Sequence, residues 1–179
     1  MEHNPPTTHR AAVLDTPGIE TYEFRSAARR FASGVGVVAA RWENRTLAKT
    51  VSSFTSVSLN PPLISVCIGS ASPLVSAIHQ SGCFAVSILQ ANQHRVSAAL
   101  SAPGSGQAGT ESLGIATTPS RSGAAVIDGY LSYFDCSIEN SFQGGDHTIV
   151  IGRVIGADST DGQPLLYFDG GYRSLHTLP

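Results

Sequence analysis

The chain has 179 residues, 41% hydrophobic and 13% charged, and its 11 basic and 13 acidic side chains give a formal net charge of -2. At about 100 to 200 residues per domain there is room for one core and not two, and a near-neutral balance with no Lys/Arg cluster excludes the electrostatic footprint of a nucleic-acid or anionic-membrane binder. Charge this sparse beside 18 glycines, where about 25% charged residues is usual, predicts a surface partly covered by a subunit or a ligand.

Residues 1–20 are polar and Pro-rich and read as a mobile arm, leaving 21–179 as the domain. The opening MEHNPPTTHR has no apolar h-region, and no stretch approaches the roughly 18 apolar residues of a membrane span, so a cytoplasmic protein is expected. In TYEFRSAARRFASG, Phe24, Ala27, Ala28 and Phe31 recur at helical spacing; Thr21 is the expected cap and Gly34 the stop. VGVVAARW reads as a strand, ENR as a turn, and TLAKTVSSF as a second strand that runs into a Ser/Thr-rich stretch ending at Asn60-Pro61-Pro62.

LISVCIG is a continuous β-rich run of the length expected for a strand buried on both faces. A helix follows with Ser72 as N-cap, Pro73 in its first position, Leu74, Ala77 and Ile78 on one face, and Gly82 at its end. CFAVSIL is a strand, NQHRVSAALS a short helix with Val96 and Leu100 inward, and residues 101–123 a long Gly/Ser/Thr-rich loop. The remainder is all strand: YLSYFDCSI, then HTIVIGRVIGA after a GGD turn, then PLLYF and YRSL about DGG. Short strands with few helices predict a mostly antiparallel barrel and not a βαβ sheet.

Cys67, Cys83 and Cys136 are odd in number and far apart, each inside an apolar run, so they read as small core hydrophobes and not as a disulfide or CxxC framework. No HxH, HExxH or acidic cluster is present, so no metal site is expected; GxSxG is absent too.

Three segments are candidates for chemistry. Thr50, Val51, Ser52 and Ser53, with the hydroxyls that follow, offer donors at a strand end where backbone N–H groups are left over, suited to a phosphate or polyol. The plainer reading is a polar edge strand, and spacing alone does not identify a ligand. Ser70 and Ser72 stand at a helix N-terminus, a natural anion site, although simple capping by Ser72 explains them equally. His147 follows Gly144-Gly145-Asp146, where glycines permit close approach and the acid can orient the imidazole; a surface histidine is the alternative.

Taken in order, FRSAARRFASGVGVV, TVSSFTSVSLNPPLISVCI, SGCFAVSIL, GDHTIVIGRV and PLLYFDGGYRSL resemble the short-chain flavin reductase family, over Phe24 to Leu175. The resemblance implies an FMN-binding split β-barrel of Greek-key type with a few short helices. It also implies a homodimer with flavin near the subunit interface, and NAD(P)H-dependent reduction of FMN or FAD for a partner flavin-dependent monooxygenase. Carried over, Thr50, Val51, Ser52 and Ser53 line the flavin ring and ribityl chain. Ser33, Gly34 and Val35 approach the same ring from the end of the first helix; Cys67, Ser70 and Ser72 serve the ribityl and phosphate side. His147 matches the family's GDH histidine beside the nicotinamide, and Tyr172 holds nicotinamide or flavin.

The family often carries an aromatic and an arginine where this chain reads LSAPGSGQAGTESLGI, so the choice of FMN or FAD stays open. No basic pair suited to a 2′-phosphate stands out either, which leaves NADH and NADPH open. The alternatives are a non-catalytic flavin carrier of the same fold and an oxidase of the pyridoxamine-phosphate type, from which SVSLNPPL and GDH point away.

Overall fold

Apolar runs with period two, broken by Gly, Pro, Asn and Asp, fold into twelve strands and four short helices over residues 18–175, the part described by the computed structural model. Residues 1–17 of the expected arm, with His3 and His9, and the terminal His176 lie outside the described residues. The order is α1 (Thr21–Ala28), β1 (Ser33–Gly34), β2 (Gly36–Trp42), β3 (Arg45–Val51), β4 (Thr55–Leu59), β5 (Pro62–Gly69), α2 (Pro73–Ser81), β6 (Cys83–Ile88) and α3 (His94–Ser101). Then come α4 (Ser105–Ala108), β7 (Thr117–Pro119), β8 (Ala125–Ile127), β9 (Ser132–Gly144), β10 (His147–Ser159), β11 (Leu166–Phe168) and β12 (Gly171–Arg173).

The architecture is the expected mostly β one. Seven strands form one antiparallel sheet in the order β3-β2-β6-β9-β10-β5-β4. Leu47 at one end of the sheet and Ile64 and Val66 near the other meet in a single core around Phe84 and Val86, so the sheet wraps about its inner face. It does not close, because β3 and β4 remain edges, and split barrel describes it only loosely.

Helix α2 plugs the interior with Leu74, Ala77 and Ile78, all fully buried; each of the two larger side chains stabilises the fold by about 1.5–3 kcal/mol. Its caps are local and follow the residues predicted for them. Ser72 Oγ accepts from Leu74 N at 3.4 Å, Pro73 opens the helix, and Gly82 closes it at φ 69°, its N–H donating to Ile78 O.

Three expectations change. Helix α1 ends at Ala28 and not near Gly34, since Ser33 and Gly34 instead pair with Tyr167 and Leu166 of β11; Glu20, in a reciprocal box with Glu23, caps it and not Thr21, and none of its side chains is buried. The strand buried on both faces is β2 and not β5. Val38 and Ala40 face the inner core, while Val37 and Ala39 lie under a second cluster built from Leu100 of α3 and Ala125 and Ile127 of β8. No such cover reaches β5, which alternates buried Ile64, Val66 and Ile68 with half-buried Leu63, Ser65 and Cys67.

Residues 101–123, expected as loop, hold α4, a 3₁₀ turn and β7, and they cover the β3 edge. Thr110 N donates to Thr46 O, and Glu111 accepts from Thr46 N at 3.2 Å. The three cysteines are free thiols; Cys136 is fully buried, and burial pushes its thiol up to about 12. No helix among the described residues is long and apolar enough to cross a membrane.

Candidate functional site

Where β3 stops at Val51, Ser52 and Ser53 leave the ladder at the open seam of the sheet, and three clefts meet there, each lined in part by Ser52. The first, about 320 Å³, runs from Val35, Thr50 and Val51 past Ser97 and Ser101 of α3 to Tyr167, Gly170 and Tyr172. A second of about 400 Å³ lies between Ser33, Gly34 and Gly36 on one side and Phe54, Ile88, Ser132 and Phe134 on the other, with Phe31 at its margin. The third, about 240 Å³, passes Lys49 through Ser53, Cys67 and Gly69 to His147.

The hydroxyls divide into those already engaged and those free to meet a ligand. Thr50 Oγ1 donates to Ser97 O at 2.8 Å. Ser53 Oγ accepts from Cys67 N at 2.8 Å and donates to Cys67 O at 3.2 Å, which stitches the seam to β5. Ser52 is exposed and makes no side-chain hydrogen bond among the described residues. Tyr172 is fixed by its hydroxyl, 2.9 Å from Ser97 Oγ, and by Tyr167, whose ring lies edge-on with centroids 5.7 Å apart. Phe54 and Phe134, 5.0 Å apart, form an aromatic wall of the second cleft.

His147 opens β10 between Gly69 and Gly144, its register partners on the flanking strands, and the absence of side chains there keeps the imidazole half exposed. Its Nδ1 lies 2.7 Å from Asp146 Oδ1, which orients the ring and leaves Nε2 without a protein partner among the described residues. The imidazole beside it holds the Asp146 carboxyl below its ordinary value.

Of the residues expected from the sequence, Ser33, Gly34, Val35, Thr50, Val51, Ser52, Ser53, Cys67, His147 and Tyr172 thus line one connected set of clefts. Ser70 and Ser72 do not line them. Ser70 Oγ is 3.0 Å from both Gln143 Nε2 and Thr148 Oγ1, and Ser72 caps α2 beside Gly106.

Reading the sequence missed Ser97, Ser101 and Tyr167 as lining residues, and Lys49, which opens the hydroxyl-rich segment, lines the third cleft with it. The available signal was the four-residue spacing of Ser97 and Ser101, which puts two hydroxyls on one helix face. Among the described residues no group of His, Cys, Asp and Glu is placed to hold a metal ion. The clefts combine flat apolar walls, neutral hydroxyls and backbone, and one oriented imidazole, an arrangement suited to holding planar heterocycles and polyols.

Known proteins are similar to this chain in sequence and in fold. Residues 28–176 match the family model described as flavin reductase like domain. The reductase component of 4-hydroxyphenylacetate 3-monooxygenase from Thermus thermophilus is 37% identical over 153 residues, covering 85% of this chain and 95% of that protein. An NADH-dependent flavin reductase from Rhodococcus is 33% identical, with 96% of this chain and 95% of that protein covered. Among solved structures, an NADH:FAD oxidoreductase of Streptomyces globisporus in complex with NAD and FAD fragments superposes with a TM-score of 0.78 at 30% identity, over 87% of this chain and 92% of that one. A match over most of the chain, in sequence and in fold, makes this protein an oxidoreductase of the flavin reductase-like family.

Proposed function

We propose that the protein catalyses NADH-dependent reduction of free flavin, FMN or FAD, and releases it to diffuse to a partner monooxygenase. The observation that carries this reading is the junction of three clefts at Ser52, bounded by Val35, Val51, Phe54 and Phe134, with Tyr172 on one arm and His147 on another. Among the described residues no carboxylate lines these clefts, and around Ser52 the walls fit an uncharged ring system and its polyol chain. The names of the Thermus and Rhodococcus relatives support NADH as donor and a monooxygenase as consumer.

When both are bound, nicotinamide C4 supplies a hydride and flavin N5 accepts it, so catalysis rests on ring alignment and exclusion of water and not on a nucleophile. Thr50, Val51, Ser52 and Ser53 are assigned to the ring and ribityl chain, Ser53 by its backbone because its hydroxyl is engaged with Cys67. Ser33, Gly34 and Val35 close the ring slot, and Cys67 serves the ribityl and phosphate side, from which Ser70, engaged with Gln143 and Thr148, and Ser72, capping α2, stand apart. Backbone and hydroxyl donors along 50–53 meet the negative charge that builds on the accepting ring. His147 positions the nicotinamide, with Asp146 fixing its tautomer and orientation; Tyr172 is assigned to the nicotinamide or flavin edge.

The reading includes a cytoplasmic homodimer. The homodimer is supported by three large apolar side chains of the α1 segment, Tyr22, Phe24 and Phe31, each more than 60% exposed, with Phe31 at the margin of the second cleft. The test is consumption of NADH or NADPH followed by absorbance, with and without added FMN or FAD. Flavin-stimulated oxidation of NADH is expected; no stimulation by either flavin with either nucleotide overturns the proposal.

A further inference from the structure

One cation stands in the His147 cleft, and the proposed reaction does not use it. Lys49, half-buried on β3, places Nζ 3.2 Å from Ser105 Oγ, 3.3 Å from Ala102 O and 3.4 Å from Ser101 O. All three partners are neutral, and Lys49 forms no ion pair among the described residues. The carbonyls belong to the C-terminal end of α3, where the helix dipole favours a cation. Ser105 Oγ already donates to Leu100 O and Ala102 O, and so meets Lys49 as an acceptor.

The ammonium is therefore held in place by neutral acceptors, with no carboxylate among the described residues to neutralise its charge. Among the described residues Lys49 is the only Lys or Arg lining the three clefts that meet at Ser52, and no Asp or Glu lines them. In such a neutral, partly desolvated groove a single charge is weakly screened and acts on any anion that enters.

We infer that Lys49 is a specificity-determining residue whose ammonium recognises a phosphate ester of the bound nucleotide, either the 5′-phosphate of the flavin or the pyrophosphate of the nicotinamide dinucleotide. The inference rests on the flavin reductase reading and adds to it the group that distinguishes phosphorylated from phosphate-free ligands. Its test is Lys49→Met, with Lys49→Arg as the charge-retaining control. Riboflavin, FMN and FAD are titrated by fluorescence quenching, and KM is measured for NADH and for dihydronicotinamide riboside, which has no phosphate.

The expected result is a loss of about tenfold in affinity for the phosphorylated ligand, in which Arg is largely neutral, while its phosphate-free counterpart changes by less than about twofold. A loss confined to FMN and FAD assigns the flavin phosphate; one confined to NADH assigns the dinucleotide. Equal losses for phosphorylated and phosphate-free ligands, or none, overturn the inference. If the variants do not fold, inorganic pyrophosphate is tested on the wild-type protein. Competition against FMN or NADH is expected, and inhibition no greater than that by chloride at equal ionic strength refutes it. A wild-type protein without flavin-stimulated NADH oxidation would sink the reductase reading itself, whereas active wild type with unchanged discrimination in Lys49→Met sinks only this inference.

Discussion

Ser52 and Ser53 are adjacent and chemically identical, yet the structure gives them different tasks. The β4–β5 register pairs Thr55 with Ser65, and extended by two residues it would set Ser53 opposite Cys67. No backbone pair forms there; the Ser53 hydroxyl takes its place, accepting from Cys67 N at 2.8 Å and donating to Cys67 O at 3.2 Å. Ser53→Ala removes two hydrogen bonds, each worth about 1 kcal/mol net, and strands a half-buried N–H. The expected loss is about 2 kcal/mol, or about 4–8 °C in thermal midpoint for a domain of this size. Ser52→Ala removes an exposed hydroxyl with no protein partner among the described residues, so its stability changes by less than about 0.5 kcal/mol, while its flavin affinity falls about fivefold. The assay is thermal or chemical denaturation without flavin at fixed protein concentration, paired with a flavin fluorescence titration. Equal destabilisation by the two substitutions, or a loss below about 0.5 kcal/mol for Ser53→Ala, would refute the assignment of Ser53 to the seam.

His147→Ala is expected to raise the KM for NADH about five- to tenfold and that for flavin by less than about twofold; equal effects in steady-state kinetics would remove it from the nicotinamide side. Gly152→Ala should cost about 1–3 kcal/mol by overpacking, because a Cβ there would lie 2.5 Å from Phe84 Cζ and 2.9 Å from Cys136 Cβ in the fully buried core; an unchanged melting midpoint would contradict this. At Glu111 burial pushes the carboxyl up, but hydrogen bonds from its own backbone and from Thr46 outweigh it and hold the group below its ordinary 4.5. A carboxyl depressed in the folded state stabilises above its unfolded pKa and loses that contribution as pH falls through the folded value. Glu111→Gln should therefore be less stable than wild type at neutral pH, with the gap shrinking below pH 4.5; a pH-independent gap in denaturation midpoints would show that the carboxylate charge contributes nothing.

What could be read in advance was what short-range chemistry decides. Ser72, Pro73 and Gly82 bound α2 by signals within the helix itself, and the turns around Glu43 and Gly145 follow from local composition. What could not be read depends on distant partners. Helix α1 stops early because Ser33 and Gly34 find β11, some 130 residues on. β2 is covered on both faces because α3 and β8 return to it, whereas β5, richer in β-branched residues, has no such cover.

The site divides in the same way. TVSS and GDH stand out as contiguous text, and the fold brings both to one cleft. Ser97 and Ser101 read as ordinary polar residues of a short helix until β3 packs against it, and only the fold shows that α3 ends over Lys49. The low charge of the chain finds a local counterpart in clefts with a single Lys and no carboxylate.

The most direct test of the central claim is anaerobic. Flavin in large excess over protein is mixed with NADH, and the loss of visible flavin absorbance is followed against NADH consumed. If free flavin is the substrate and the reduced form leaves, the whole excess bleaches with one flavin reduced per NADH. Bleaching that stops at one flavin per chain, or that never begins, would contradict the account.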